Sequence, residues 1–121
     1  MTFAQRREQA RSYLGRIVKI GIDRPIGYTH KKPKYDLVYP INYGYIPGVL
    51  GGDGEELDVY LLGVNEPVEE YTCRIIGVAH RINDVEDKLV GAPDGMVFSA
   101  DEIAEAIAFQ EKYYKTKIEI Q

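Results

Sequence analysis

Between Arg16 and Ala92 the apolar residues come in short runs, each broken by glycine, proline or a charged turn. Punctuation of that density leaves little room for long helices and favours short strands. Arg16–Ile22 alternates through Val18, Ile20 and Ile22 and is expected to be a strand, as is short Tyr35–Val38. Asp23 to Lys34 is mostly polar, with Pro25, Gly27 and Pro33, and reads as a loop. Asn42–Ile46 is extended, and Pro47 to Gly54 is turn-rich. Leu57–Val64, Tyr71–His80 and Lys88–Ala92 are further strands, and Thr116–Ile120 a final one. Helices are expected at the two ends. Thr2 caps an amphipathic segment reaching about Tyr13, before Gly15. Ser99 and Glu102 form a capping box that opens a helix with Ile103, Ala104, Ile107 and Ala108 on one face, continuing towards Tyr114. The pattern predicts an α+β fold: a small OB-like curved β-barrel of five to six short strands with N- and C-terminal helices packed outside.

At 121 residues the chain has the size of one domain, and residues 1–121 are read as such. No apolar run approaches the ~18 residues of a membrane helix, and MTFAQRREQARSY lacks the apolar centre of a signal peptide. Cys73 is the only cysteine, so an internal disulfide and a cysteine-rich metal site are excluded. A cytoplasmic domain without membrane contact is expected. The net charge of −4 argues against duplex nucleic acid as a partner, although an anion can bind an acidic chain where a metal ion reverses the local sign.

Three features carry possible chemistry. Five of the ten tyrosines (Tyr28, Tyr35, Tyr39, Tyr43, Tyr45) fall within residues 28–45. They suit either a half-buried barrel wall or a cavity lined by hydroxyl donors. The second feature is Gly51-Gly52-Asp53-Gly54-Glu55-Glu56-Leu57-Asp58. An exposed acidic loop accounts for Asp53, Glu55 and Glu56, but not for Asp58, which lies between Leu57 and Val59 inside a strand. A carboxylate there needs a counter-charge, and Mg²⁺ is a hard cation that prefers such oxygens. The third is Asp84-Val85-Glu86-Asp87-Lys88, by itself a solvated turn. Two acidic turns feeding neighbouring strands could meet at one end of a barrel. His30 and His80 have no metal-site spacing, and His80 and Cys73 read as structural. The basic run His30 to Lys34 is either a solvated loop or a phosphate neutraliser. Neither glycine-rich nucleotide-loop motif occurs.

Tyr39-Pro40-Ile41-Asn42-Tyr43-Gly44-Tyr45-Ile46-Pro47, followed by Asp53 to Val59, resembles the soluble family I inorganic pyrophosphatases. Asp84 to Pro93 is similar to the family's second acidic turn, and Phe109 to Lys115 to its C-terminal helix with a tyrosine-lysine pair. The resemblance implies Mg²⁺-dependent hydrolysis of pyrophosphate to two phosphates by a metal-activated water. It implies Asp53, Asp58, Asp84 and Glu86 as metal ligands, with Glu55 in the general-base position and Asp58 catalytic. Lys31, Tyr43, Lys88, Tyr114 and Lys115 would contact phosphate, Tyr39 would support them, and the protein would be a homo-oligomer.

The sequence also departs from the family pattern. Glu55 and Glu86 stand where aspartates are usual, Lys31 where an arginine is usual, and Gly21 and Gly27-Tyr28-Thr29 where charged groups are usual. The chain is also short. Arg24, His30, Lys31, Lys32 and Lys34 are candidate replacements. The departures leave two alternatives: hydrolysis of another diphosphate compound, or a catalytically weak relative that binds a phosphorylated ligand or a partner. Single-stranded nucleic acid is a third, which the negative charge disfavours.

Overall fold

A computed structural model describes residues 1–121. Helix α1 (Phe3–Arg11) leads into β1 (Ile17–Arg24), then β2 (Thr29–Lys31), β3 (Asp36–Val38), β4 (Asn42–Leu50), β5 (Glu56–Leu61), β6 (Glu70–Arg81) and β7 (Lys88–Ala92). Helix α2 (Ala100–Glu111) and β8 (Thr116–Ile120) complete the chain. Strands β1-β4-β5-β7-β6 are neighbours in that order, and β6 pairs back with β1. The result is a closed five-stranded barrel, with β8 added outside β6. All its pairings are antiparallel except β5 with β7. This is the α+β, OB-like barrel that the sequence predicts.

Strand β5 explains how two cores arise from one sheet. Leu57, Val59 and Leu61 point to a cluster containing Ile20, Cys73, Ile75 and Leu89. Tyr60 and the following Leu62 point the other way, to Tyr39, Tyr43 and the α2 residues Ile103 and Ile107. Both faces are covered, so the segment is apolar almost throughout. Asp58 breaks that run, and it is half-buried. Within the β1–β4 pair the strands approach so closely that a Cβ on Gly44 would lie 1.7 Å from the Gly21 carbonyl oxygen, and one on Gly21 would meet the Tyr45 ring. Gly21 is therefore fixed by packing, and any charged side chain there would displace Tyr45.

Several details differ from the sequence expectation. The barrel and β8 supply the five to six strands expected, and β2 and β3 stand outside them. The predicted loop 23–34 contains the end of β1 and all of β2, which pairs with β3 as a separate two-stranded flap. Its β2 is polar and exposed, with only Leu37 of β3 buried, so no apolar alternation marks it. Strand β4 runs through Pro47 to Leu50, its ladder with β5 interrupted by a register shift after Tyr45 that accommodates the proline. Strand β5 stops at Leu61. Both capping boxes are present, but the helices end at Arg11 and Glu111, short of Tyr13 and Tyr114. Helix α1 buries Arg6 and Ala10 rather than an apolar stripe, and Ala104 of α2 is exposed.

Candidate functional site

The turn after β4 and the β6–β7 turn meet at one end of the barrel, as their spacing suggests. Arg6 of α1 lies beneath both. Its guanidinium donates to the carbonyls of Asp84 (2.5 Å) and Arg81 (2.6 Å) and pairs with Asp87 at 3.2 Å. A Cβ on Gly52 would strike the Arg6 stem and the Val85 carbonyl, so the two turns are packed directly together.

Above them opens a cavity of about 400 Å³. Asp23, Asp53, Glu55, Asp58 and Glu86 bring five carboxylates to its wall, and Arg24, Lys32, Arg81 and Lys88 bring four cations. Lys88 is central on one side. It is 3% exposed, and its amine donates to Asp58 (2.6 Å) and Tyr43 Oη (2.7 Å) and pairs with Glu86 (2.8 Å). Three carboxylates crowd this side. Burial first, then a hydrogen bond with Asp53 and the Asp58 charge, push the Glu86 carboxyl up to about 7 despite Lys88. Burial would also raise Asp53, but its interaction with protonated Glu86 and with backbone N–H groups holds it below the usual range. Asp23 is raised by burial and by Asp58 and Glu56.

The opposite side is organised by Arg81, 2% exposed. Its Nη2 and Nε donate to Glu111 at 2.6 Å and 3.0 Å. Its Nη1 donates to Asp84 (2.8 Å) and Glu86 (3.2 Å), and its plane lies over the Tyr114 ring at 3.7 Å. From Glu111 a buried chain continues: Tyr60 Oη donates to Glu111, Gln110 Nε2 to Tyr60 Oη, Tyr39 Oη to Gln110 Oε1, and Arg24 Nη1 to Tyr39 Oη. The end of α2 thereby links the two cavity arginines. Tyr35 of the flap stacks on Tyr113 (5.0 Å between centroids) at the same cavity.

The structure thus brings together Asp53, Glu55, Asp58, Glu86, Tyr43, Lys88 and Tyr114 of the residues expected from the sequence. It does not bring in Lys31, which is exposed and paired with Asp36 at 3.1 Å; alternation along the flap turns Lys32 inward instead. Lys115 is exposed beyond the cavity, and the Asp84 carboxylate is held by Arg81. The tyrosine cluster divides between both of its readings: Tyr39 and Tyr43 are core residues whose hydroxyls reach the polar network. His80 is structural, buried between Asp87 (3.0 Å) and Glu119 (2.8 Å). Burial pushes the Cys73 thiol up to about 11, leaving it inert.

Sequence reasoning missed Asp23, Arg81, Gln110 and Glu111. For the last two a signal exists: Ile103, Ile107 and then Gln110 and Glu111 continue one helical stripe, so polar groups are carried onto the buried face. Nothing comparable distinguishes Arg81 or Asp23 from ordinary residues at strand ends.

No three His, Cys, Asp or Glu side chains are arranged to hold a metal ion as they stand. The donor chemistry nonetheless fits a hard divalent cation at Asp53, Asp58 and Glu86, where three carboxylates meet Lys88 and Arg81 reaches only Glu86.

A closed OB-like barrel with a charged, carboxylate- and lysine-lined cavity at one end defines the class of protein. A family model described as inorganic pyrophosphatase matches residues 16–116. An inorganic pyrophosphatase of Xylella fastidiosa is 31% identical over 88 residues, covering 68% of this chain and 49% of the relative. One of Neisseria meningitidis is 44% identical over 59 residues, covering 45% of this chain and 33% of its own. Among solved structures, the inorganic pyrophosphatase of Ehrlichia chaffeensis superposes with a TM-score of 0.64 over 88% of this chain and 87% of that one, at 19% identity. That of Neisseria gonorrhoeae gives 0.59, covering 82% and 74%, at 24% identity. The chain belongs to the inorganic pyrophosphatase family. It spans about half the length of the Xylella relative it matches.

Proposed function

We propose that this chain hydrolyses inorganic pyrophosphate to two phosphates, with Mg²⁺ as the required cation. The observation that carries the reading is the convergence of Asp53, Asp58 and Glu86 around Lys88 in a cavity of this family's fold. In this assignment Asp53, Asp58 and Glu86 hold the cation. When bound, a divalent cation lowers the pKa of a water and neutralises phosphate oxygens. Lys88, oriented by Tyr43 and Asp58, donates to a phosphate oxygen, and Arg24, Lys32 and Tyr114 bind the remaining oxygens. Glu55, exposed at the cavity, accepts the proton of the attacking water. Arg24 and Lys32 take the places that the resemblance gives to Lys31 and Lys115.

The same reading carries a single domain over residues 1–121, a cytoplasmic location and a homo-oligomer. No helix is long and apolar enough to cross a membrane. The Tyr35–Tyr113 stack favours one second reading, a diphosphate ester whose organic group lies against these rings.

The test is phosphate release from pyrophosphate with Mg²⁺ and with EDTA, beside a panel of diphosphate esters. Chelator-sensitive release from pyrophosphate is expected. Release from an ester alone selects the second reading, and release from neither overturns both.

A further inference from the structure

Arg81 occupies a place in the acidic cavity that charge alone would give to a cation. Its guanidinium holds Asp84 at 2.8 Å and Glu86 at 3.2 Å. It cannot readily leave. Glu111, 5% exposed, receives its Nη2 and Nε, and also accepts from Tyr60 Oη (2.5 Å) and Thr116 Oγ1 (2.7 Å). Withdrawing Arg81 would leave a buried, unpaired carboxylate. Tyr114 covers one face of the guanidinium, and Arg6 fixes the Arg81 and Asp84 carbonyls from below. A divalent ion beside this locked charge would be repelled, and the Asp84 carboxylate it would need is already neutralised.

We infer that Arg81 is a resident cation standing in for one divalent ion: Asp84 takes no part in metal binding, and the cavity takes its cations on the Asp53–Asp58–Glu86 side alone. This rests on the metal-dependent reading above. It also accounts for a wall carrying nearly as many cations as carboxylates.

Calorimetric Mg²⁺ titration, checked by Mn²⁺ paramagnetic resonance, tests it on the wild type, D84N and the R81Q/E111Q double variant. The double variant removes both members of the buried pair, so neither charge is stranded. D84N, at a partly exposed position, keeps the test valid if the double variant does not fold. D84N is expected to bind as many ions as the wild type, with affinity within about twofold, as for a carboxylate already paired. The folded double variant is expected to bind one more. Loss of an ion in D84N, or an unchanged count in the folded double variant, overturns the inference while leaving the metal-dependent reading intact. A wild type that binds no divalent ion overturns that reading, and this inference with it.

Discussion

The two sides of the cavity solve the same problem, buried acid, in opposite ways. Around Lys88 the amine is shared by Asp58 and Glu86 with Asp53 beside them, and Glu86 retains its proton to about neutrality. Around Arg81 every carboxylate has a fixed guanidinium partner: Glu111, Asp84 and Glu86 all pair with it, and Glu111 is held below the usual carboxylate range because hydrogen bonds from Arg81 and Tyr60 outweigh its burial. One side is short of positive charge and is where a mobile cation would gain most. The other is satisfied internally and serves as framework. Acidic residues close in sequence, such as Asp84 and Glu86, can thus differ in function, because Asp84 pairs with Arg81 alone whereas Glu86 also reaches Lys88.

The largest expected effect separates the sides by chemistry. Asp58→Asn keeps the shape and removes one charge from the deficient side. Turnover with Mg²⁺ should fall at least about a thousandfold, the scale of losing a transition-state electrostatic contact. On the Arg81 side the damage should be to folding. Arg81→Met strands Glu111, and denaturant unfolding should show a loss of about 3–5 kcal/mol, partly recovered by adding Glu111→Gln.

Titration gives a smaller, signed difference. Glu86 has an ordinary value of 4.5 and a folded value of about 7, so the folded protein binds more protons between them. Its contribution is fully present below about 4.5 and is lost as pH rises through about 7. The cation-free protein should lose about 2–3 kcal/mol of stability across that window. Glu86→Gln should flatten this fall, and an unchanged slope would contradict the assignment. Lys31→Ala should be the mildest change, within about 0.5 kcal/mol of stability as for exposed ion pairs. Lys32→Ala, facing the cavity, should raise KM by more than Lys31→Ala does.

What the sequence disclosed follows the same division. The barrel strands were legible because apolar alternation records burial, and β5 betrayed its site by placing Asp58 inside such a run. Both acidic turns were legible from local composition. The flap was not: β2 exposes Thr29 and Lys31 and half-buries a polar His30, so a two-residue period has nothing apolar to mark. The resemblance put Lys31 at the phosphate position, and no local pattern pointed to Lys32 instead. Arg81 and Glu111 lie 30 residues apart and become partners only when α2 packs on the barrel. Neither residue type nor local pattern reveals such a pair, and without it Asp84 looked as free as Glu86.

The most direct measurement is pyrophosphate turnover by wild type and Asp58→Asn across a Mg²⁺ titration, at matched folded fraction. The account predicts cation-dependent turnover in the wild type that EDTA abolishes, and almost none in the variant at any Mg²⁺ concentration. Equal turnover by the two proteins, or wild-type turnover that survives EDTA, would contradict it.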